Sequence, residues 1–397
     1  MNPEDFPEAA VDVEAVDPET LYRRIENGES VTLLDVRMES TYDEWHIEDE
    51  AVESINVPYI HFLDDEVDDE ILDRIPDDRS MTVVCAKGGA STYVGGKLAE
   101  LGYDVHNLDG GMSAWARIYQ DVEVTGYDGA GTLYQYQRPS SGCLGYLLVD
   151  GDEAAVIDPL RAFTDRYRDD ADAHGADLVY AFDTHIHADH VSGVRELVDA
   201  GVEGVIPAMA AERGVTYEAD VTLATHGDGF GVGDATIEAV YTPGHTSGMT
   251  SYLVGDSFLA TGDGLFVESV ARPDLEEGDD GAPEAARTLH ESLQERILTL
   301  PDDTLVGGAH ASDAAEAASD GTYTATLGVL ETRMDALTMD EDAFVDLILS
   351  NMPPRPANYE EIIATNLGRN AIDDEDAFEL ELGPNNCAAS QGSLAGD

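Results

Sequence analysis

A chain of 397 residues is long enough for two or three domains, and with 43% hydrophobic residues it can bury a sizeable core, which excludes global disorder. Its 83 Asp and Glu against 20 Lys and Arg give a net charge of −63. That charge repels a polyphosphate backbone and an anionic bilayer alike, so neither nucleic acid nor a membrane surface is expected as a partner.

After an acidic lead-in, residues 15–120 alternate short apolar runs with helical stretches. Val31 to Val36 and Met81 to Cys85 are continuous apolar runs, as buried parallel strands require. Ser91 to Leu101 reads as a helix ended by Gly102, and Tyr103 to Leu108 as another strand. The pattern predicts an open α/β domain. Between one strand and the helix lies Cys85-Ala86-Lys87-Gly88-Gly89-Ala90-Ser91. A glycine-rich loop at a helix start turns backbone N–H groups toward an anion, which favours a thiolate at Cys85. Lys87 adds a nearby positive charge; it and Lys97 are the chain's two lysines.

This segment resembles a rhodanese, or sulfurtransferase, domain. The resemblance rests on Leu34-Asp35-Val36-Arg37, His46-Ile47, Asn56-Val57-Pro58, the Cys85 loop and Leu108 to Trp115. It implies that Cys85 carries sulfane sulfur as a persulfide, with Lys87 assisting. Ala86 and Ala90 stand where many members have arginine, which weakens the case for thiosulfate as donor.

Gln120 to Gly131 reads as a linker. Residues 130–315 then form a second α/β region, with strands expected at Leu133 to Gln137, Cys143 to Val149, Ala154 to Asp158, Leu178 to Phe182, Ala235 to Tyr241, Ser251 to Val254 and Thr304 to Val306. Thr184-His185-Ile186-His187-Ala188-Asp189-His190 follows an apolar strand directly. Thr242-Pro243-Gly244-His245, Thr261-Gly262-Asp263 and Gly308-Ala309-His310 each terminate an apolar stretch. Seven candidate ligands would thus arrive at one sheet edge, and imidazole with carboxylate suits iron, zinc or manganese.

This half resembles the metallo-β-lactamase superfamily, which implies a four-layered αββα sandwich with metal at one edge. Thr261 to Leu275, with Leu298-Thr299-Leu300-Pro301 ahead of Gly308-Ala309-His310, is most similar to the persulfide dioxygenase branch. That resemblance implies one Fe(II) per chain on His185, His245 and Asp263. His187, Asp189, His190 and His310 would then support those ligands or form a second-metal position. The substrates implied are a low-molecular-weight thiol persulfide and O2, and Arg272 is the candidate clamp for a substrate carboxylate. Two alternatives stay open: a binuclear zinc thioester hydrolase of the hydroxyacylglutathione type using all seven ligands, and a non-enzymatic sulfur-relay protein with a structural metal.

Residues 322–397 are mostly helical, with helices expected at Thr324 to Leu337, Glu341 to Ser350 and Ala357 to Leu367. This extension is expected to pack on the metal domain or on a subunit partner, which allows a homodimer. Cys143 reads as a small core residue or a second relay thiol, and Cys387 falls in a tail. Three widely spaced cysteines are no disulfide framework. No apolar run approaches the ~18 residues of a membrane span, and Met1-Asn2-Pro3-Glu4-Asp5 lacks the start of a signal peptide, so the expected location is the cytoplasm. The dispersed acidic residues predict a surface adapted to molar salt; the alternative is an acidic protein with one charged partner.

Overall fold

Val31–Asp35 and Met81–Val84 are buried at every position, so neither can sit at a solvated edge. Both lie inside an all-parallel sheet ordered Ala15–Val16, Val105–Leu108, Met81–Val84, Val31–Asp35, Val52–Asn56. The computed structural model describes residues 6, 7, 11–64, 66–312 and 314–383. It divides into two compact units, one running to Ile118 and the other from Tyr119 to Glu381. Cys387 lies outside the described residues.

In the first unit the sheet is covered on both faces. Leu34, Val83, Val94 and Leu98 pack on one side, and Leu21, Leu33, Val84, Leu108 and Trp115 on the other. Neighbouring residues of one strand thus feed opposite cores. Helix Pro18–Glu26 begins on Asp17, whose carboxylate accepts from Thr20 N at 3.0 Å, with Pro18 in the first turn where no N–H donor is needed. Helix Gly89–Glu100 follows the cysteine loop.

The second unit holds two sheets of seven and six strands. The core between them draws Leu148, Ile157, Phe182 and Val205 from the first sheet and Ile237, Ala239, Tyr252 and Phe258 from the second. Helices Thr164–Ala173 and Val194–Asp199 bury Tyr167, Ala171, Val194 and Leu197 against the outer face of the first sheet. Helices Gly278–Ser292, Leu327–Arg333 and Glu341–Ser350 bury Leu289, Leu330, Phe344 and Ile348 on the second. The layers are therefore αββα, and helices Tyr359–Asn366 and Asp374–Leu380 complete the C-terminal region.

Two stretches differ from the sequence reading. Gln120–Glu123, expected within a linker, is an edge strand antiparallel to Thr132–Arg138; its alternating half-buried and exposed residues suit an edge. Thr324 to Leu337, expected as one helix, divides. Ala325–Thr326 joins the second sheet, the helix covers Leu327–Arg333, and a 3-10 turn follows at Asp335–Thr338. The break lets Met334, Ala336 and Leu337 turn into the core. Among the described residues no helix is long and apolar enough to cross a membrane.

Candidate metal centre

Four strands deliver the histidines and aspartates. Asp177–Phe182 ends just before His185, Ala235–Tyr241 before His245, Phe258–Gly262 before Asp263 and Leu305–Gly308 before His310. Gly262 makes the last approach feasible. It has φ +53°, and a Cβ there would lie 2.3 Å from Met249 Cε and 2.4 Å from Thr184 Oγ1. Only glycine lets the chain pass that close to the histidine loop and still place Asp263.

His185, His245 and Asp263 come together. Asp263 Oδ2 lies 3.7 Å from His185 Nε2 and 3.6 Å from His245 Nε2. All three side chains are fully buried, and these three atoms have no hydrogen-bond partner among the described residues. A buried polar atom without a partner is costly, so three that converge point to a cation as the missing partner. Two imidazole nitrogens and one carboxylate oxygen form a donor set that iron, zinc and manganese accept.

Each of these side chains is oriented from behind. His245 Nδ1 donates to the Arg272 carbonyl at 2.9 Å, which leaves Nε2 with its lone pair. His185 Nδ1 lies 3.0 Å from Thr184 Oγ1, and that hydroxyl donates to Asp158 Oδ2 at 2.9 Å. Since the hydroxyl hydrogen is committed, His185 Nδ1 is the donor and its Nε2 is also unprotonated. Burial pushes both imidazoles below their usual range, His185 well below it, with His187 adding to the effect there. His310 Nδ1 donates to Asp263 Oδ1 at 2.7 Å. Burial alone would raise the Asp263 carboxyl, but His310 outweighs it and holds the group below the usual carboxylate range.

Behind them lies a second group. Asp189 Oδ2 sits 2.9 Å from His310 Nε2, 3.0 Å from His190 Nδ1 and 3.4 Å from Cys143 Sγ, all buried. Burial opposes charge on His310, yet Asp263 and Asp189 outweigh it and raise the imidazole well above its usual range. His190 is raised in the same way by Asp189. Cys143, buried as a core residue would be, belongs to this group. Burial and Asp189 oppose its ionisation, but hydrogen bonds from His190 and His310 bring the thiol down to about 7. The His187 ring packs on that of His190, with centroids 4.0 Å apart, but its Nε2 turns to a different pair of carboxylates. Its Nε2 lies 3.1 Å from Asp158 Oδ1 and 3.8 Å from Asp183 Oδ1.

The sequence reading did not single out Asp158. Its carboxylate takes Thr184 N at 2.7 Å, Thr184 Oγ1 and His187 Nε2, so it organises the start of the histidine loop. In sequence it is only the Asp-Pro that ends an apolar strand; the structure adds φ +53°, uncommon for a residue with a Cβ. Arg272, the candidate carboxylate clamp, is turned into the fold. Its guanidinium is 1% exposed and bonds Asp274 through Nε at 2.7 Å and Nη2 at 3.1 Å, and the Pro354 carbonyl at 2.8 Å. Arg272 touches the centre through its own carbonyl, which holds His245.

In the first unit, Cys85 is buried at the end of Met81–Val84. Its sulfur accepts from Gly88 N at 3.1 Å and lies 3.2 Å from Ser91 Oγ. The loop is pinned from below, because Met112 N and Ser113 N donate to the Cys85 and Ala86 carbonyls at 2.8 and 2.9 Å. Gly111, at φ +60°, is required there, since a Cβ would lie 2.2 Å from the Cys85 oxygen. Lys87 is half-buried in the loop. Lys97 is elsewhere, with its ammonium on the Asp64 carbonyl and over the Tyr93 ring.

Comparison with known proteins places these sites in families. Residues 17–118 match the rhodanese-like domain, and residues 140–310 match the metallo-beta-lactamase superfamily. The chain is 30% identical over 241 residues to the human mitochondrial persulfide dioxygenase ETHE1, covering 59% of this chain and 87% of that protein. It is 32% identical over 222 residues to a hydroxyacylglutathione hydrolase of Methylococcus capsulatus (strain Bath), covering 55% and 78%. The crystal structure of ETHE1 from Myxococcus xanthus superposes with a TM-score of 0.51 at 28% identity, covering 60% of this chain and 99% of that one. The chain belongs to the metallo-beta-lactamase superfamily and carries a rhodanese-like domain ahead of the metal-site domain. Within that superfamily it is a homologue of the ETHE1 persulfide dioxygenases.

Proposed function

We propose that this protein oxidises a low-molecular-weight thiol persulfide to sulfite with O2, at one Fe(II) held by His185, His245 and Asp263, and moves sulfane sulfur through Cys85. The observation that carries the reading is the convergence of His185 Nε2, His245 Nε2 and Asp263 Oδ2, each buried without a hydrogen-bond partner among the described residues. The kinship with proteins named persulfide dioxygenase supports iron and this chemistry. Per turnover, persulfide, O2 and water give the parent thiol and sulfurous acid, which ionises to sulfite.

Iron on two histidines and one carboxylate supplies redox chemistry with oxygen and coordination positions open to sulfur. The chain's own residues do the rest. The Arg272 carbonyl holds the His245 Nδ1 proton, so Nε2 stays a donor to metal. Thr184 and Asp158 do the same for His185. His310 grips one oxygen of Asp263 and leaves the other facing the two histidines. Arg272 serves here as a positioning residue, its guanidinium fixed on Asp274 so that its carbonyl is fixed too. In the rhodanese-like unit, Gly88 N faces the Cys85 sulfur, where a persulfide anion would gain a donor, and Lys87 adds charge to the loop.

A two-zinc thioester hydrolase is the second reading. The group of Cys143, Asp189, His190 and His310, with ligand atoms all within 4.8 Å, and the kinship with hydroxyacylglutathione hydrolases favour it. Against it stands the rhodanese-like domain, because a sulfur carrier has no task in thioester hydrolysis. Oxygen uptake by iron-loaded protein given a thiol persulfide, beside a thioester assay, separates the two.

A further inference from the structure

The loop from Asp183 to Ser192 carries His185, His187, Asp189 and His190, yet it has almost no regular secondary structure and is buried throughout. Buried peptide groups outside helices and sheets need partners from elsewhere. Asp158 takes Thr184 N and Val205 takes Asp183 N, but three groups of the His187–Ser192 stretch share a single carboxamide some 180 residues downstream in sequence. Asn366 Nδ2 donates to the His187 carbonyl at 3.0 Å and to the His190 carbonyl at 2.8 Å, and Asn366 Oδ1 accepts from Ser192 N at 2.9 Å. The amide orientation is fixed by this set, since two carbonyls must meet the donor end and an N–H the acceptor end. Asn366 is 4% exposed and closes helix Tyr359–Asn366. A second contact lies beside it: Glu381 Oε1 accepts from Val191 N at 2.8 Å while Oε2 takes Arg138 Nη1 at 2.7 Å.

We propose that Asn366 is a positioning residue of the metal centre, and that the C-terminal extension is thereby part of that centre. The inference rests on the metal reading above. The coupling follows bonded contacts. Asn366 fixes the backbone on both sides of Asp189, the Asp189 carboxylate takes His310 Nε2, and His310 Nδ1 holds Asp263. On the other side it fixes His187, whose ring reaches the Asp158 carboxylate that also anchors Thr184 beside His185. Loss of the carboxamide releases three backbone groups at once and lets both routes relax.

The test is anaerobic Co(II) binding by the full chain, read as a dissociation constant by chelator competition and as the visible spectrum of the bound ion. Losing an outer contact of a metal site typically weakens metal binding ~10–100-fold. Asn366→Ala is expected to fall in that range with an altered spectrum. Asn366→Ser, which keeps one hydroxyl donor, should be intermediate, and it carries the test if the alanine variant does not fold. Tyr217→Phe is the control. It removes the hydroxyl that donates to the Asn366 carbonyl at 2.8 Å, on the same helix end, and leaves the three carboxamide bonds to the histidine loop in place. It should bind Co(II) as the parent does, whatever it costs in thermal stability. The proposal is overturned if both Asn366 variants keep the parent's affinity and spectrum, or if Tyr217→Phe weakens binding as much as they do. A parent protein that takes up no Co(II) overturns the metal reading itself, an outcome distinct from the other two.

Discussion

His310 Nδ1 lies 2.7 Å from Asp263 Oδ1, so one oxygen of that carboxylate is committed to an imidazole and the other faces His185 and His245. The pair divides the site into a residue that would hold metal and a residue that holds the ligand. His310→Ala should therefore weaken metal binding by ~10–100-fold without changing the metal-to-protein ratio at saturation. Elemental analysis with chelator competition measures both quantities. A fall in the saturating ratio from two to one would instead make His310 a ligand of a second ion.

Metal binding should withstand mild acid. Burial lowers the pKa of His185 and of His245, so protons compete for their Nε2 atoms only below the ordinary imidazole value of ~6.5. The sign follows directly: a lowered pKa keeps the ligand form present to lower pH. Affinity, corrected for the chelator's own protonation, should stay level from pH 8 to ~6.5 and begin to fall only well below it. Two unperturbed imidazoles would instead lose affinity with a midpoint near ~6.5.

Cys85→Ser should abolish sulfur transfer and leave persulfide-dependent oxygen uptake largely intact, because only a thiolate can take up sulfane sulfur. Lys87→Ala should slow transfer without abolishing it. Radiolabelled sulfane sulfur on the protein, measured beside oxygen consumption, separates the two activities. A Cys85→Ser protein that takes up oxygen no faster than a metal-free control would show that the two domains are obligately coupled.

The fold should need salt. With a net charge of −63, self-repulsion opposes compactness, and KCl raised from about 0.1 to about 3 M shortens the screening length from ~10 Å to below ~3 Å. The thermal midpoint should climb steeply across that range, with and without metal. A flat response in both forms would leave the acidic surface as a feature for binding a partner.

Much of the site was legible in the sequence because strand ends are. His185, His245, Asp263 and His310 each follow a buried apolar run, and that local pattern survives in the structure. Asp158 was missed because an aspartate after a strand is an ordinary turn residue until its φ of +53° and its three partners are seen. Asn366 could not be read at all, since nothing in Ala364-Thr365-Asn366 marks a partner so far away in sequence. The Arg272 guanidinium is a related case. Its place beside a binding motif suggests a carboxylate clamp, whereas its bonds to Asp274 are seen only in the fold. Gln120–Glu123 reads as part of a linker because four polar-rich residues reveal a strand only through their neighbour, Thr132–Arg138.

Persulfide oxidation at the buried triad is open to direct measurement. The measurement that tests it most directly is oxygen uptake and sulfite formation by anaerobically iron-loaded protein given a thiol persulfide, with Asp263→Ala and a thioester substrate run in parallel. One sulfite per O2 consumed is expected, with loss of both in the Asp263→Ala protein and no metal-dependent thioester cleavage. Thioester cleavage that needs Asp263 and two zinc ions, with no oxygen uptake, would contradict it.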